Sequence, residues 1–364
     1  MKHPSNIEIE LLTYPVHLGY NLWHEIDQII QPFLKSGGIY ILSENNTYRH
    51  CFPLLKENIP TLIGQPLYSI SPGEQSKDIQ GLASIWSWLL QNGAGRESLL
   101  INLGGGVVSD MGGFAAATYN RGMKYINIPT SLIGQVDAAI GGKSALNVSG
   151  IKNQVGLFYD PAAVFIMPEF LETLPDAHFK SGFAEIIKCA ALSGGESWAL
   201  LKQAGVSDRT NIFPLISETV RFKCRMVAED PFDNASRKML NFGHTVGHAL
   251  ESFFNSGGRD LMLHGHAVAA GMICEAYLSN KLAGMGVDDL DELSSVIKSY
   301  FDLKPIGESF YGQLAGIVSF DKKKSEEGIG YSLLRGLGKH SPGKVVNNTD
   351  LIESFGYYNG IIQQ

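Results

Sequence analysis

Four of the ten histidines in this chain fall in two short clusters, NFGHTVGHALE (241–251) and LHGHAVAAGM (263–272). His244 and His248 stand four apart, which puts both imidazoles on one helical face at the spacing of paired zinc ligands. His264 or His266 offers a third nitrogen, and Glu185, in SGFAEIIKCA, offers an oxygen. Imidazoles in so apolar a setting need a partner, and a divalent metal is the sharpest one. A catalytic zinc takes three protein ligands and keeps one position open, so the candidates outnumber the need. Histidines satisfied by hydrogen bonds within the core are the other reading, and spacing alone does not choose among them. Basic and amide groups accompany the cluster: Lys188 one turn after Glu185, then Lys223, Arg237 and Asn241. Helical spacing puts Arg237 and Asn241 on the face of His244, where a guanidinium can hold a substrate carboxylate.

A second chemistry sits nearer the N-terminus. In LLINLGGGVVSDMGGFAAATY (99–119) an apolar strand ends in Gly104, Gly105 and Gly106, and a helix is expected to open near Ser109 and Asp110. Backbone N–H groups and the helix dipole would then face a phosphate, although a glycine-rich tight turn is the plainer account and the pattern is not GxGxxG. GEQSK (73–77) adds Glu74 and Lys77, and Glu44 follows the strand IYIL, where a carboxylate can hold ribose hydroxyls or simply be solvated. The segment VDAAIGGKSALNVSGIKNQVG (136–156) carries Asp137, Lys143, Lys152 and Asn153 among Gly141, Gly142 and Gly150. Those donors suit a polyhydroxylated, anionic ligand approached closely by backbone; solvated lysines are the alternative.

The elements that must position these residues change character once. Up to about residue 178, β-branched runs (GGIYILSE, ESLLINLGGG, KYINIPTSLI, AAVFIMPE) alternate with helical stretches such as KDIQGLASIWSWLLQNGAG. That rhythm predicts a Rossmann-like α/β domain over 1–178 with a mostly parallel sheet. From Phe179 strand signals fade and amphipathic runs dominate, for example 213–227, which predicts an all-α domain over 179–364. The segments 254–260 and 341–348 read as loops, and Gly257 and Gly258 would end the helix of His244, leaving His264 near the start of the next.

Composition sets the outer bounds. With 44% hydrophobic and 18% charged residues the chain reads as an ordinary globular protein, and a formal charge of -7 argues against nucleic acid as a partner. Cys51, Cys189, Cys224 and Cys274 form no CxxC pair, and no run approaches the roughly 18 apolar residues of a membrane span. A cytoplasmic enzyme with reduced thiols and no membrane partner is the expectation.

The motifs GGGVVSDMGGFAAATYNRG, IPTSLIGQVDAAIGGKSALN, IKNQVGLFY, GFAEIIK, NFGHTVGHALE, HGHAVAAGM and DKKKSEEG with LLRGLGK occur in this order between about residues 40 and 340. In conjunction they closely resemble the 3-dehydroquinate synthase family of sugar phosphate cyclases. The resemblance implies bound NAD, a divalent metal (usually zinc, with cobalt possible), and a homodimer. It also implies conversion of 3-deoxy-D-arabino-heptulosonate 7-phosphate to 3-dehydroquinate and phosphate, a lyase step of the shikimate pathway. Transient oxidation, phosphate elimination, reduction and aldol closure make up the family's reaction. By this resemblance Glu185, His244 and His264 are the metal ligands. Glu44, Glu74, Lys77, Gly105, Gly106, Asp110, Thr130, Ser131, Phe170 and Thr173 fall on the dinucleotide side. Asp137, Lys143, Asn153, Lys188, Lys223, Arg237, Asn241, His248 and Lys339 fall on substrate positions, with Lys143 also counted on the dinucleotide side and Lys152 between the two groups. Arg121 matches an arginine that reaches the neighbouring subunit's phosphate.

Three positions depart from the family pattern: His266 replaces a common glutamate, Ser131 a threonine and Glu44 an aspartate. A histidine at the first of these is reminiscent of sedoheptulose 7-phosphate cyclases, which keeps another cyclase as the alternative. A metal- and NAD-dependent polyol dehydrogenase is the more distant one, since a neutral polyol needs no phosphate clamp.

Overall fold

The computed structural model describes residues 5–149, 151–204, 209–255, 261–322 and 331–363. Gly150, Gly257, Gly258 and most of the DKKKSEEG segment lie outside the described residues. The chain divides into two compact units, Met1–Phe179 with Lys223–Phe232, and Lys180–Phe222 with Asp233–Gln364.

The first unit is built on a seven-stranded sheet. Its strands are β1 (Ile7–Ile9), β2 (Val16–Leu18), β3 (Ile39–Glu44), β4 (Leu67–Ile70), β5 (Leu99–Gly104), β6 (Lys124–Pro129) and, after a separate hairpin, β9 (Ala163–Ile166). Their order is β1-β2-β9-β6-β5-β3-β4, with only the β1–β2 pair antiparallel. All six residues of β5 are buried, as a central parallel strand covered on both faces requires. The side-chain period of two splits the core: Ile39, Ile41, Leu99, Ile101, Ile126 and Ile128 pack with Ile26, Ile30 and Leu55 on one face. Tyr40, Leu42, Leu100 and Tyr125 meet Leu82, Ile85, Met111 and Ala115 on the other.

Asp78 caps the helix Ile79–Gln91 by accepting from the Gly81 N–H at 2.7 Å. The separate hairpin pairs β7 (Lys143–Val148) with β8 (Ile151–Phe158) antiparallel.

The second unit is helical, with one exception to the expected all-α texture. A hairpin of β10 (Tyr331–Gly336) and β11 (Lys339–Lys344) turns at Leu337-Gly338, where Gly338 has a φ of 75° that a side chain would strain. Tyr331, Leu333 and Leu334 are buried, so three apolar residues in a short run sufficed to make a strand. The expected 341–348 loop is correspondingly shorter, since β11 runs to Lys344 and the helix Asn348–Gln363 follows. The helix His264–Ala283 is buried along most of its length, and small residues (Ala267, Ala269, Ala270, Gly271) line it. No helix among the described residues is long and apolar enough to cross a membrane.

Candidate functional site

In the second unit three helices bring three polar side chains together. Glu185 lies within the helix Asp176–Ser193, while His244 and His264 are the first residues of the helices His244–Asn255 and His264–Ala283. One ligand atom from each lies within 4.8 Å of the other two. His244 Nε2 is 3.4 Å and His264 Nε2 3.5 Å from the same oxygen, Glu185 Oε1. These separations exceed the usual hydrogen-bond range of about 2.7–3.2 Å. They match the edge of a tetrahedron whose centre lies about 2.1 Å from each corner, or about 3.4 Å, which is the geometry of a zinc-sized ion. The donor set of two nitrogens and a carboxylate oxygen therefore fits a divalent metal.

The surroundings favour the same use. Glu185 is fully buried, and burial would raise its pKa, but the adjoining Lys188 ammonium and His244 outweigh that and hold the carboxyl well below its ordinary range. A charged carboxylate is the form that binds a cation. Burial and Lys188 lower the His244 pKa, which favours the neutral, ligating imidazole. Burial would lower His264 as well, yet its contacts with Glu185 and Glu251 push it up to about 9. His264 Nδ1 lies 3.2 Å from Glu251 Oε2, and His244 Nδ1 lies 3.3 Å from the Phe242 carbonyl. With a cation in place of the His264 Nε2 proton that so raised a pKa retains at neutral pH, donation from each Nδ1 leaves both Nε2 atoms as the nitrogens that face Glu185.

The other histidines separate clearly. The His248 ring stands 5.2 Å from that of His244 and 5.8 Å from that of His264, beside the group but outside it. His266 instead packs edge-on to Phe301 at 5.2 Å, with Lys180 and Asp302 acting on it. Two positions on a helix are about 200° apart, so a helix that starts at His264 sends its third residue to the opposite side. The expectation that Arg237, Asn241 and His244 share one helical face is not met. Arg237 and Asn241 lie in a separate 3-10 turn, Ser236–Asn241, and Gly243, with a φ of 79°, breaks the chain before His244. Arg237 is buried, Asn241 is exposed, and Lys339 is exposed at the start of β11.

In the first unit the glycine loop follows β5, but the helix opens at Gly106 rather than at Ser109, which puts Asp110 in its second turn. Thr130 and Ser131 adjoin the loop: the Thr130 N–H donates to the Gly104 carbonyl at 3.0 Å, and a Cβ on Gly105 would meet Ser131 Oγ at 3.1 Å. Lys77 is buried and joins segments that are distant in sequence, lying 2.6 Å from Asp110 Oδ2, 2.5 Å from Asn153 Oδ1 and 3.9 Å from Glu74 Oε1. Asn147 extends this net, donating to Glu74 Oε1 at 2.9 Å and accepting from the Asn153 N–H at 2.9 Å. Burial raises the Asp110 pKa and Lys77 partly restores it.

Lys223, from the segment that clusters with this unit, donates to the Asp137 carbonyl at 2.5 Å and pairs with the Asp137 carboxylate. Glu44 ends β3 half-buried, and burial raises its pKa against the opposing influence of His178 and Thr47. Phe170 is buried against Trp23, whereas Thr173, Lys143, Lys152 and Arg121 are exposed. Glu251 and Asn147 escaped the reading of the sequence. An acid at a core position of an apolar helix, as in GHALE, is the signal that finds the first; the second has no local signal.

Profiles of the 3-dehydroquinate synthase N-terminal and C-terminal families match residues 67–181 and 182–324. A curated 3-dehydroquinate synthase from Parabacteroides distasonis is 42% identical over 89% of this chain and 92% of its own length. Among solved structures, 2-epi-5-epi-valiolone synthase from Streptomyces hygroscopicus, with NAD+ and Zn2+ bound, superposes with a TM-score of 0.83 at 22% identity, covering 97% of this chain and 98% of its own. A 2-deoxy-scyllo-inosose synthase complexed with carbaglucose-6-phosphate, NAD+ and Co2+ gives a TM-score of 0.81 at 21% identity over 96% of this chain and 99% of its own.

Proposed function

This chain belongs to the 3-dehydroquinate synthase family, and from that premise we propose that it converts 3-deoxy-D-arabino-heptulosonate 7-phosphate to 3-dehydroquinate and phosphate, as a step of aromatic biosynthesis. The observation that carries the reading is the group Glu185, His244 and His264, with ligand atoms within 4.8 Å of one another and each imidazole nitrogen at a tetrahedral-edge distance from the Glu185 oxygen. When bound, the metal polarises a substrate hydroxyl and NAD serves as a recycled hydride acceptor.

The chain's own residues supply the rest. Elimination of phosphate needs preorganised donors aimed at the departing charge, a role for Lys143, Asn153, Asn241 and Lys339. Arg237, with Lys223, holds the carboxylate, which a planar guanidinium grips with two bonds. Asp137 and His248 orient substrate hydroxyls, and Lys188 keeps Glu185 charged and placed. On the dinucleotide side, Glu44 takes ribose hydroxyls. The Gly105–Gly106 turn lets backbone approach the phosphates, with Thr130 and Ser131 beside it. Lys152, Phe170 and Thr173 complete that side, and the Lys77 net of Glu74, Asp110 and Asn153 supports the loop from beneath.

A homodimer follows from the same reading, with Arg121 reaching the partner's phosphate. Its exposure, and that of Val148, Ile151, Val155 and Phe158 on the β7–β8 hairpin, supports this. A cytoplasmic setting is supported by four cysteines that are all buried and form no disulfide among the described residues.

The test is one assay. With NAD and zinc or cobalt, the protein is expected to release phosphate from the carboxylated heptulosonate phosphate with no net NADH absorbance. Accumulating NADH from a polyol would identify a dehydrogenase instead, and phosphate release from sedoheptulose 7-phosphate alone would select another cyclase. His266, the residue that suggested the latter, packs on Phe301 and takes no part in the ligand group.

A further inference from the structure

We propose that Glu275 is a positioning residue that holds His244 and His264 at the separation a single metal ion needs. The inference rests on the metal reading above. Glu275 is fully buried in the helix His264–Ala283, eleven residues beyond His264 and therefore about 16 Å along the axis from it. A carboxylate in such a place needs two good partners, and it has them. Oε2 accepts from the Gly243 N–H at 2.8 Å, and Oε1 accepts from the Val246 N–H at 3.0 Å.

Those two donors bracket His244. The first turn of a helix lacks acceptors for its N–H groups, and a negative charge there is favoured by the helix dipole. The helix of His244 thus takes its cap from a neighbouring helix, the one that carries the other histidine ligand. Backbone contact reinforces the lock: a Cβ on Gly271 would fall 2.0 Å from the Gly243 carbonyl oxygen and 2.7 Å from the Gly247 nitrogen. The two helices touch main chain to main chain, so they can neither close further nor accept a larger residue. Contact alone still permits one helix to slide along the other. Two hydrogen bonds donated to one carboxylate by N–H groups three residues apart remove that freedom, and they fix the start of the helix, where His244 sits. An amide at 275 can accept only one of the two bonds and turns a donor toward the other N–H.

The experiment compares the full-length native protein with E275A and E275Q, using cobalt as the probe. The readouts are the cobalt dissociation constant from chelator competition, the visible absorption of bound cobalt, and the thermal midpoint. Loss of an outer support of a metal ligand typically weakens metal binding about 10–100-fold, and E275A is expected in that range with an altered cobalt spectrum. E275Q, retaining one acceptor, is expected to fall between E275A and the native protein. A role confined to stability would lower the thermal midpoint and leave affinity and spectrum at native values. That result, in whichever variant folds, overturns the proposal. Should the native protein bind no cobalt, the metal reading fails first, and the two failures are told apart by the native control.

Discussion

Lys77 and Glu185 are both buried, and the polar groups around them differ in how completely they satisfy one another. Lys77 reaches Asp110 and Asn153 at 2.6 and 2.5 Å, and Asn147 closes the net at 2.9 Å. Those are made hydrogen bonds, so this part of the first unit is complete by itself. Glu185 pairs with Lys188 through Oε2, but its Oε1 faces two imidazole nitrogens at 3.4 and 3.5 Å, too far for good hydrogen bonds and suited to a shared ion. One region is a finished support and the other is a socket. The contrast teaches that a functional carboxylate is recognised by contacts that stop short of closure, rather than by burial alone.

The largest effect should come from breaking the socket. Glu185→Ala is expected to reduce phosphate release roughly a thousandfold or more, as removal of a catalytic metal site does. Metal analysis of the purified variant should show loss of the bound ion, and chelation of the native protein should reproduce the defect until zinc or cobalt is restored. NAD affinity, read by fluorescence titration, should change little in the variant. A matching collapse of NAD binding would mean that the two regions are not separable.

Breaking the finished support should act differently. Lys77→Met leaves Asp110 without its cation in a buried setting, which typically costs about 3–5 kcal/mol of stability. Denaturant unfolding should show that loss, accompanied by weaker NAD binding, while the metal content per folded molecule stays native. Lys77→Met with native stability would show that the net around it is not buried support at all.

These two regions also differ in what a reader of the sequence can extract. The parallel sheet is legible because its strands are short, β-branched and bounded by glycine, and its alternation sorts Ile39, Ile41 and Tyr40, Leu42 onto opposite faces. The candidates for the socket are legible because clustered histidines are rare. Choosing among them depends on where a helix begins: a start at His264 turns His266 toward Phe301. The face expected to join Arg237, Asn241 and His244 failed for a similar reason, since the left-handed Gly243 interrupts the helix between them. The β10–β11 hairpin was hidden by its helical neighbours. Contacts such as Lys77 with Asn153, 76 residues apart, have no local signature in a single chain.

The smallest effect belongs to an ion pair outside both regions, and it calibrates the comparison. Glu292 accepts from Lys202 at 2.5 Å and from the Trp198 indole N–H at 3.0 Å, and these contacts lower its pKa. A carboxyl whose folded pKa lies below its unfolded value stabilises the fold above the unfolded value, about 4.3, and loses that contribution as pH falls through the folded one. Because the pair is largely exposed and screened by water, Glu292→Gln should cost only about 0.5 kcal/mol at pH 7. The difference from the native protein should shrink in high salt and vanish in strong acid, as read from denaturant midpoints. Salt should leave the penalty of Lys77→Met nearly intact, because a buried pair is screened far less than an exposed one. An equal salt response in both variants would place Lys77 and Asp110 in contact with solvent and erase the distinction between a finished support and an ordinary surface pair.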